Sequence, residues 1–79
     1  MAAGEYSVYE IVDAAFRRAV IGVSELGDAD AVLAASQPQP PGARCRIVAS
    51  GLSRPQAKRF AEAYARSALP HFKVSVLDG

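Results

Sequence analysis

The stretch "SQPQPPGA", residues 36–43, constrains this 79-residue chain more than any other. Three prolines and a glycine in eight residues remove backbone donors and fix φ, so neither a helix nor a central strand runs through it. It divides the chain into two segments of similar length, each too short to bury a core alone. The segments must share one core, so residues 1–79 are read as a single small domain with a proline-rich internal loop at 36–43.

Downstream of the loop the pattern reads strand, helix, strand. "RCRIVAS" (44–50) alternates Cys45, Ile47 and Ala49 against Arg44, Arg46 and Val48, as a strand with one buried face does. "SRPQ" then opens a helix. Ser53 is its N-cap, Pro55 stands where a missing N–H costs nothing, and Gln56 completes a capping box. Ala57, Phe60, Ala61, Tyr64, Ala65 and Ala68 follow at helical spacing, with Phe60 and Tyr64 as bulky anchors among alanines. Pro70 ends the helix, and "FKVSVLD" (72–78) alternates again. A short crossover of this kind favours two parallel strands covered by one helix.

Upstream of the loop two readings compete for residues 7–26. Val8, Ile11, Val12, Ala15, Phe16, Ala19, Val20 and Val23 recur at three and four, which fits a helix with a Ser7/Glu10 capping box. Against this, β-branched residues cluster in "VYEIV" and "AVIGVS", and Gly22 would sit inside the helix at a cost of about 1 kcal/mol relative to Ala. In the alternative, "DAAFRR" joins the strands of a hairpin, although it lacks the Asn-Gly or Asp-Gly of the commonest turns. "GDADAVLAAS" then forms a short helix capped by Asp28 or Asp30.

Several chemistries are excluded by composition. The single cysteine, Cys45, forms no internal disulfide, which makes a reducing cytoplasm the expected compartment. One histidine, His71, far from Cys45 in sequence, gives no zinc-ligand spacing and no nucleophile motif with Ser24, Ser50 or Ser53. No cofactor and no metal are therefore expected. No apolar run approaches the ~20 residues of a membrane span, and "MAAGEYSVYE" lacks the regions of a signal peptide. The net charge of +1 hides a split. Residues 1–42 hold two arginines against six acids, net −4, whereas residues 43–79 hold seven cations against two acids, net +5. Such asymmetry marks either a nucleic-acid face or two halves that complement each other in the fold or across a dimer.

The hairpin reading of "SVYEI" (7–11) and "VIGVS" (20–24) resembles the paired triplets that open GIY-YIG endonuclease domains. Tyr9 falls at the first tyrosine position, Gly22 at the glycine, and Ser24 where Ser or Thr is common. "RIVASGLSRPQAKRFAEA" is similar to the strand and second helix of that family, so the resemblance spans residues 6–69. It implies an α+β domain: an N-terminal hairpin, a short helix, then strand-helix-strand, with a mixed sheet of three or four strands packed by helices. The resemblance also implies which parts of a nuclease are missing. Val20 replaces the second tyrosine, "ELGDADAVLAAS" supplies no arginine, and the metal-holding glutamate position falls on Ala61, beside Glu62. Metal-assisted cleavage needs a carboxylate for the cation and a group to activate water, so Tyr9, the sole catalytic candidate, is not expected to act alone.

The expectation carried forward is a non-catalytic GIY-YIG-like module with a weak nucleic-acid-binding or regulatory role. Lys58 and Arg59, with Arg66 two turns on, are the candidate phosphate contacts. Arg54 beside the helix N-terminus, Arg44, Arg46 and Lys73 extend the set. Solvated charges that keep a small domain soluble would read the same way. The alternative is a protein-interaction or homodimerisation module, since strand-helix-strand also resembles ferredoxin-like and SPOR-type modules. An active metal-dependent nuclease is the third reading.

Overall fold

Residues 8–24 form the hairpin, not the helix. The computed structural model describes residues 6–25, 27–35, 42–67 and 70–77. In it the chain runs β1 (Tyr6–Asp13), β2 (Arg18–Ser24), α1 (Ala29–Ala35), β3 (Arg44–Leu52), α2 (Arg54–Ser67), β4 (Lys73–Leu77). The strands make one sheet in the order β3-β1-β2-β4, an α+β architecture with a helix on each face. Residues 36–41 of the proline-rich loop lie outside the described residues.

The sheet explains why a helical period showed up where no helix exists. A helix buries one stripe, but a central strand covered on both faces buries every residue. Ser7, Val8, Tyr9, Glu10 and Ile11 are all buried in succession. Continuous burial erases the alternation expected of a strand, and the leftover apolar positions mimic steps of three and four.

The turn at Ala14–Arg17 does without Asn-Gly. Asp13 Oδ1 accepts from the Ala15 N–H at 3.2 Å, and the Arg17 N–H donates to Ala14 O at 3.3 Å. Arg17 takes the left-handed conformation, φ 52°, that usually falls to glycine in such loops. The Lys73 N–H donates to Arg17 O at 2.8 Å, so the turn also anchors the start of β4.

β3 and β4 point the same way, as a strand-helix-strand unit should, but they are the two edges of the sheet and the hairpin lies between them. α2 therefore crosses the whole sheet. Val8, Ile21 and Val23 meet its fully buried Ala57 and Ala61, whose small side chains bring the helix close. The capping box forms as read: the Ser53 N–H donates to Gln56 Oε1 at 3.0 Å and the Gln56 N–H to Ser53 Oγ at 3.3 Å. On the other face α1 packs Val32 against Tyr9 and Ile11, and the Ala31 N–H donates to Asp28 Oδ2 at 3.0 Å, making Asp28 the cap.

Two details depart from the sequence reading. Register shifts opposite Tyr6–Tyr9 give β3 extra residues, so Val48 and Ala49 both reach the α2 cluster instead of alternating. Phe60, read as a core anchor, is 38% exposed. It stacks on Tyr64 at the rim, centroids 6.0 Å apart and planes at 15°, so its loss removes a partial contact.

One polar cluster ties α2 to the sheet. Glu10, 5% exposed, accepts from Tyr64 Oη at 2.7 Å and from Arg46 Nε at 3.0 Å, while an Arg46 terminal nitrogen donates to Tyr64 Oη at 3.0 Å. A buried carboxylate survives only when so paired. Burial, helped by the hydrogen bond to Glu10, pushes the Tyr64 hydroxyl above its ordinary value near 10. A raised folded pKa holds the proton longer in the native state, so this contribution is complete below pH 10 and is lost as pH rises beyond it. Denaturant midpoints measured from pH 8 to 11 should fall at the alkaline end, and Tyr64→Phe should flatten that fall while lowering neutral stability by ~1–2 kcal/mol.

Candidate nucleic-acid interface

The hairpin register sets the two triplets opposite each other. Ser7 pairs with Ser24 and Tyr9 with Gly22. The hydroxyl end of the Tyr9 ring lies over Gly22: a Cβ there would collide with Tyr9 Oη and Cζ and stand 2.8 Å from Cε2. The glycine is needed for close approach, and the ring in turn covers the backbone it exposes. Tyr9 is 7% exposed and packs in the α1 cluster with Ile11 and Val32. Gly22→Ala should cost ~1–3 kcal/mol by overpacking. A denaturation cycle with Tyr9→Leu should show coupling, the double mutant losing less than the sum; additive losses would mean the ring yields freely.

Tyr9 and α2 are separated by the sheet. Side chains alternate across a strand, so Tyr9 faces α1 while Val8 and Glu10 face α2. Ala61, at the position of the implied metal-holding glutamate, is fully buried between α2 and the sheet, and Glu62 is exposed. Among the described residues no group of three or more His, Cys, Asp or Glu side chains is placed to hold a metal ion.

The basic candidates divide into three groups. Arg54, Lys58, Arg59 and Arg66 are exposed on α2. At 100° per residue Arg59 and Arg66 point away from buried Ala57 and Ala61, with Lys58 on a flank. Arg44 and Arg46 project on the α2 side of the β3 edge, opposite Val12 and Glu10, and Arg46 is engaged with Glu10 and Tyr64. Lys73 lies on β4, the far edge. The structure thus separates Lys73 from Arg44 and Arg46 by the full width of the sheet.

Lys73 has neighbours that the sequence reading passed over. It pairs with Arg18, and Val20 with Ser75, across the parallel β2/β4 register. Arg18, Ala19, Val20, Lys73 and Ser75 line an open groove of about 420 Å³. Phe16, in the turn next to it, is 67% exposed, with the Arg18 guanidinium carbon 5.9 Å from its ring centroid. The signal was "FRR" (16–18), an aromatic beside two arginines, which becomes visible as a surface only once the hairpin turn is placed there.

Cys45 lies beside Ile11 on the α1 side. Burial raises its thiol above the ordinary range, and the Asp30 and Glu10 carboxylates raise it further. The thiol is therefore a poor nucleophile at neutral pH, despite the flanking arginines. Among the described residues no helix is long and apolar enough to cross a membrane. No protein-family model, no curated protein and no solved structure matches this chain.

Proposed function

We propose that this domain is a non-catalytic, GIY-YIG-like module that binds nucleic acid weakly, through phosphate contacts and without base readout, in a cytoplasmic regulatory role. The observation that carries the reading is the outer side of α2. It presents Arg59 and Arg66, with Lys58 on the adjoining flank, Arg54 exposed at the N-terminal end of the helix, and Glu62 as the helix's single acid. Arg59 and Arg66 stand two turns, roughly 10 Å, apart along the axis, and phosphate contacts of this kind position a backbone without reading sequence. The non-catalytic part rests on Val20 and Ala61 at positions where the resemblance implies a tyrosine and a glutamate, and on the sheet that separates Tyr9 from α2. Titration of a labelled duplex should show binding at low salt that weakens steeply at moderate salt. Lys58→Glu with Arg59→Glu should weaken it for every sequence and reduce the salt slope by about 1 per lost contact. Absence of binding at low salt, or indifference to that pair, refutes the reading, and cleavage of plasmid with magnesium or manganese refutes its non-catalytic part.

A second reading, a dimerisation module, is favoured by the β4 edge. β3, at the other edge, is irregular and carries Arg44 and Arg46, devices that discourage strand addition. β4 has a regular register and leaves Val76 and Leu77 43% and 49% exposed. If a second copy pairs there, sedimentation should show concentration-dependent dimers that Val76→Lys abolishes; a monomer at all concentrations rejects it.

A further inference from the structure

We propose that the groove between β2 and β4, together with the hairpin turn, is a single-strand nucleic-acid site, with one phosphate held between Arg18 and Lys73 and an unstacked base on Phe16. This rests on the nucleic-acid reading above and names the substrate class and the surface. Arg18 and Lys73 are direct register partners on adjacent strands. Like charges placed opposite each other on a sheet repel, and an anion seated between them turns that repulsion into attraction. Asp13 is the other register partner of Arg18. Its carboxylate is buried, with Oδ1 engaged by the turn and Oδ2 without a hydrogen-bond partner among the described residues, so the bound phosphate must sit on the Lys73 side of Arg18. Among the described residues no acidic side chain lines the groove, and Ser75 brings a hydroxyl to its wall. At about 420 Å³ the groove falls within the range of ~300–1,000 Å³ typical of small-ligand sites, large enough for a nucleotide unit.

The aromatic ring selects the single strand. Phe16 is 67% exposed in the turn, outside both core clusters. With the Arg18 guanidinium near the ring at 5.9 Å, it makes a cation-aromatic platform on which a splayed base can stack. In a duplex the base faces are already stacked on each other, so such a platform reads unpaired nucleotides.

The test is fluorescence anisotropy of the whole chain with labelled oligothymidylate, labelled oligouridylate and a labelled duplex at several salt concentrations. Phe16→Ala should weaken both single strands about tenfold and leave the salt slope unchanged; Phe16→Tyr should restore binding. Arg18→Gln and Lys73→Gln should each lower the single-strand salt slope by about 0.7. All three positions are exposed, and unchanged circular dichroism confirms that the fold is kept. Binding of one oligonucleotide but not the other assigns the site to DNA or to RNA. Single-strand binding indifferent to Phe16, Arg18 and Lys73 overturns this inference; if duplex binding is then still lost with Lys58→Glu and Arg59→Glu, the α2 reading stands without it. Failure of every nucleic acid to bind at low salt overturns both.

Discussion

The pairing of Tyr9 with Gly22 sets the register on which the rest of the sheet depends. The ring needs a residue without a side chain beneath it, and β2 offers glycine at that single position. A slip of one residue would put Ile21 or Val23 under the ring. Because side chains alternate with a period of two, the same slip of β2 would turn Ile21 and Val23 away from α2 while Val8, Tyr9 and Ile11 kept their faces. The α2 core would lose two of its three buried sheet residues, and the α1 side would have to take them in beneath Tyr9. The hairpin register therefore selects which face each helix covers and where β3 and β4 must dock.

With that register in place, α2 is fixed by shape and by charge. Ala57 and Ala61 let its axis approach the sheet, and Glu10 holds it through Tyr64 while also holding β3 through Arg46. Glu10 is buried because the central strand is covered on both sides. Its pairing is thus a consequence of the strand order as much as a stabiliser of it. Removing one partner leaves a carboxylate oxygen in a dry place, which is why such clusters bind elements to one arrangement.

What could be read in advance follows the range of the interactions. The capping box at Ser53 and Gln56 is local and was legible, and the α1 cap was narrowed to Asp28 or Asp30, of which the structure uses Asp28. The hairpin was ambiguous because burial on both faces removes the alternation that marks a strand, and its turn relies on an Asp13 side chain and a left-handed Arg17 instead of a glycine. The edge positions of β3 and β4 were illegible, since nothing within either strand says that two others will lie between them. Phe60 was placed in the core by its spacing, but helix spacing gives the direction of a side chain and not how far the sheet extends beneath it.

The same limit governs the candidate surface. Summing charge by halves makes residues 1–42 acidic and residues 43–79 basic, which points to the second half as the anion-binding surface. The fold redistributes that charge. Arg46, from the basic half, is tied to Glu10 of the acidic half, so part of the apparent patch is already satisfied within the protein. Arg18, from the acidic half, is carried by β2 to the side of Lys73, and two cations 55 positions apart in sequence become direct neighbours. A charge becomes available to a partner through the strand it sits on, the face it takes and the acid it meets there. By that criterion the "FRR" turn and β4 form a cationic surface that no count along the chain would have assembled.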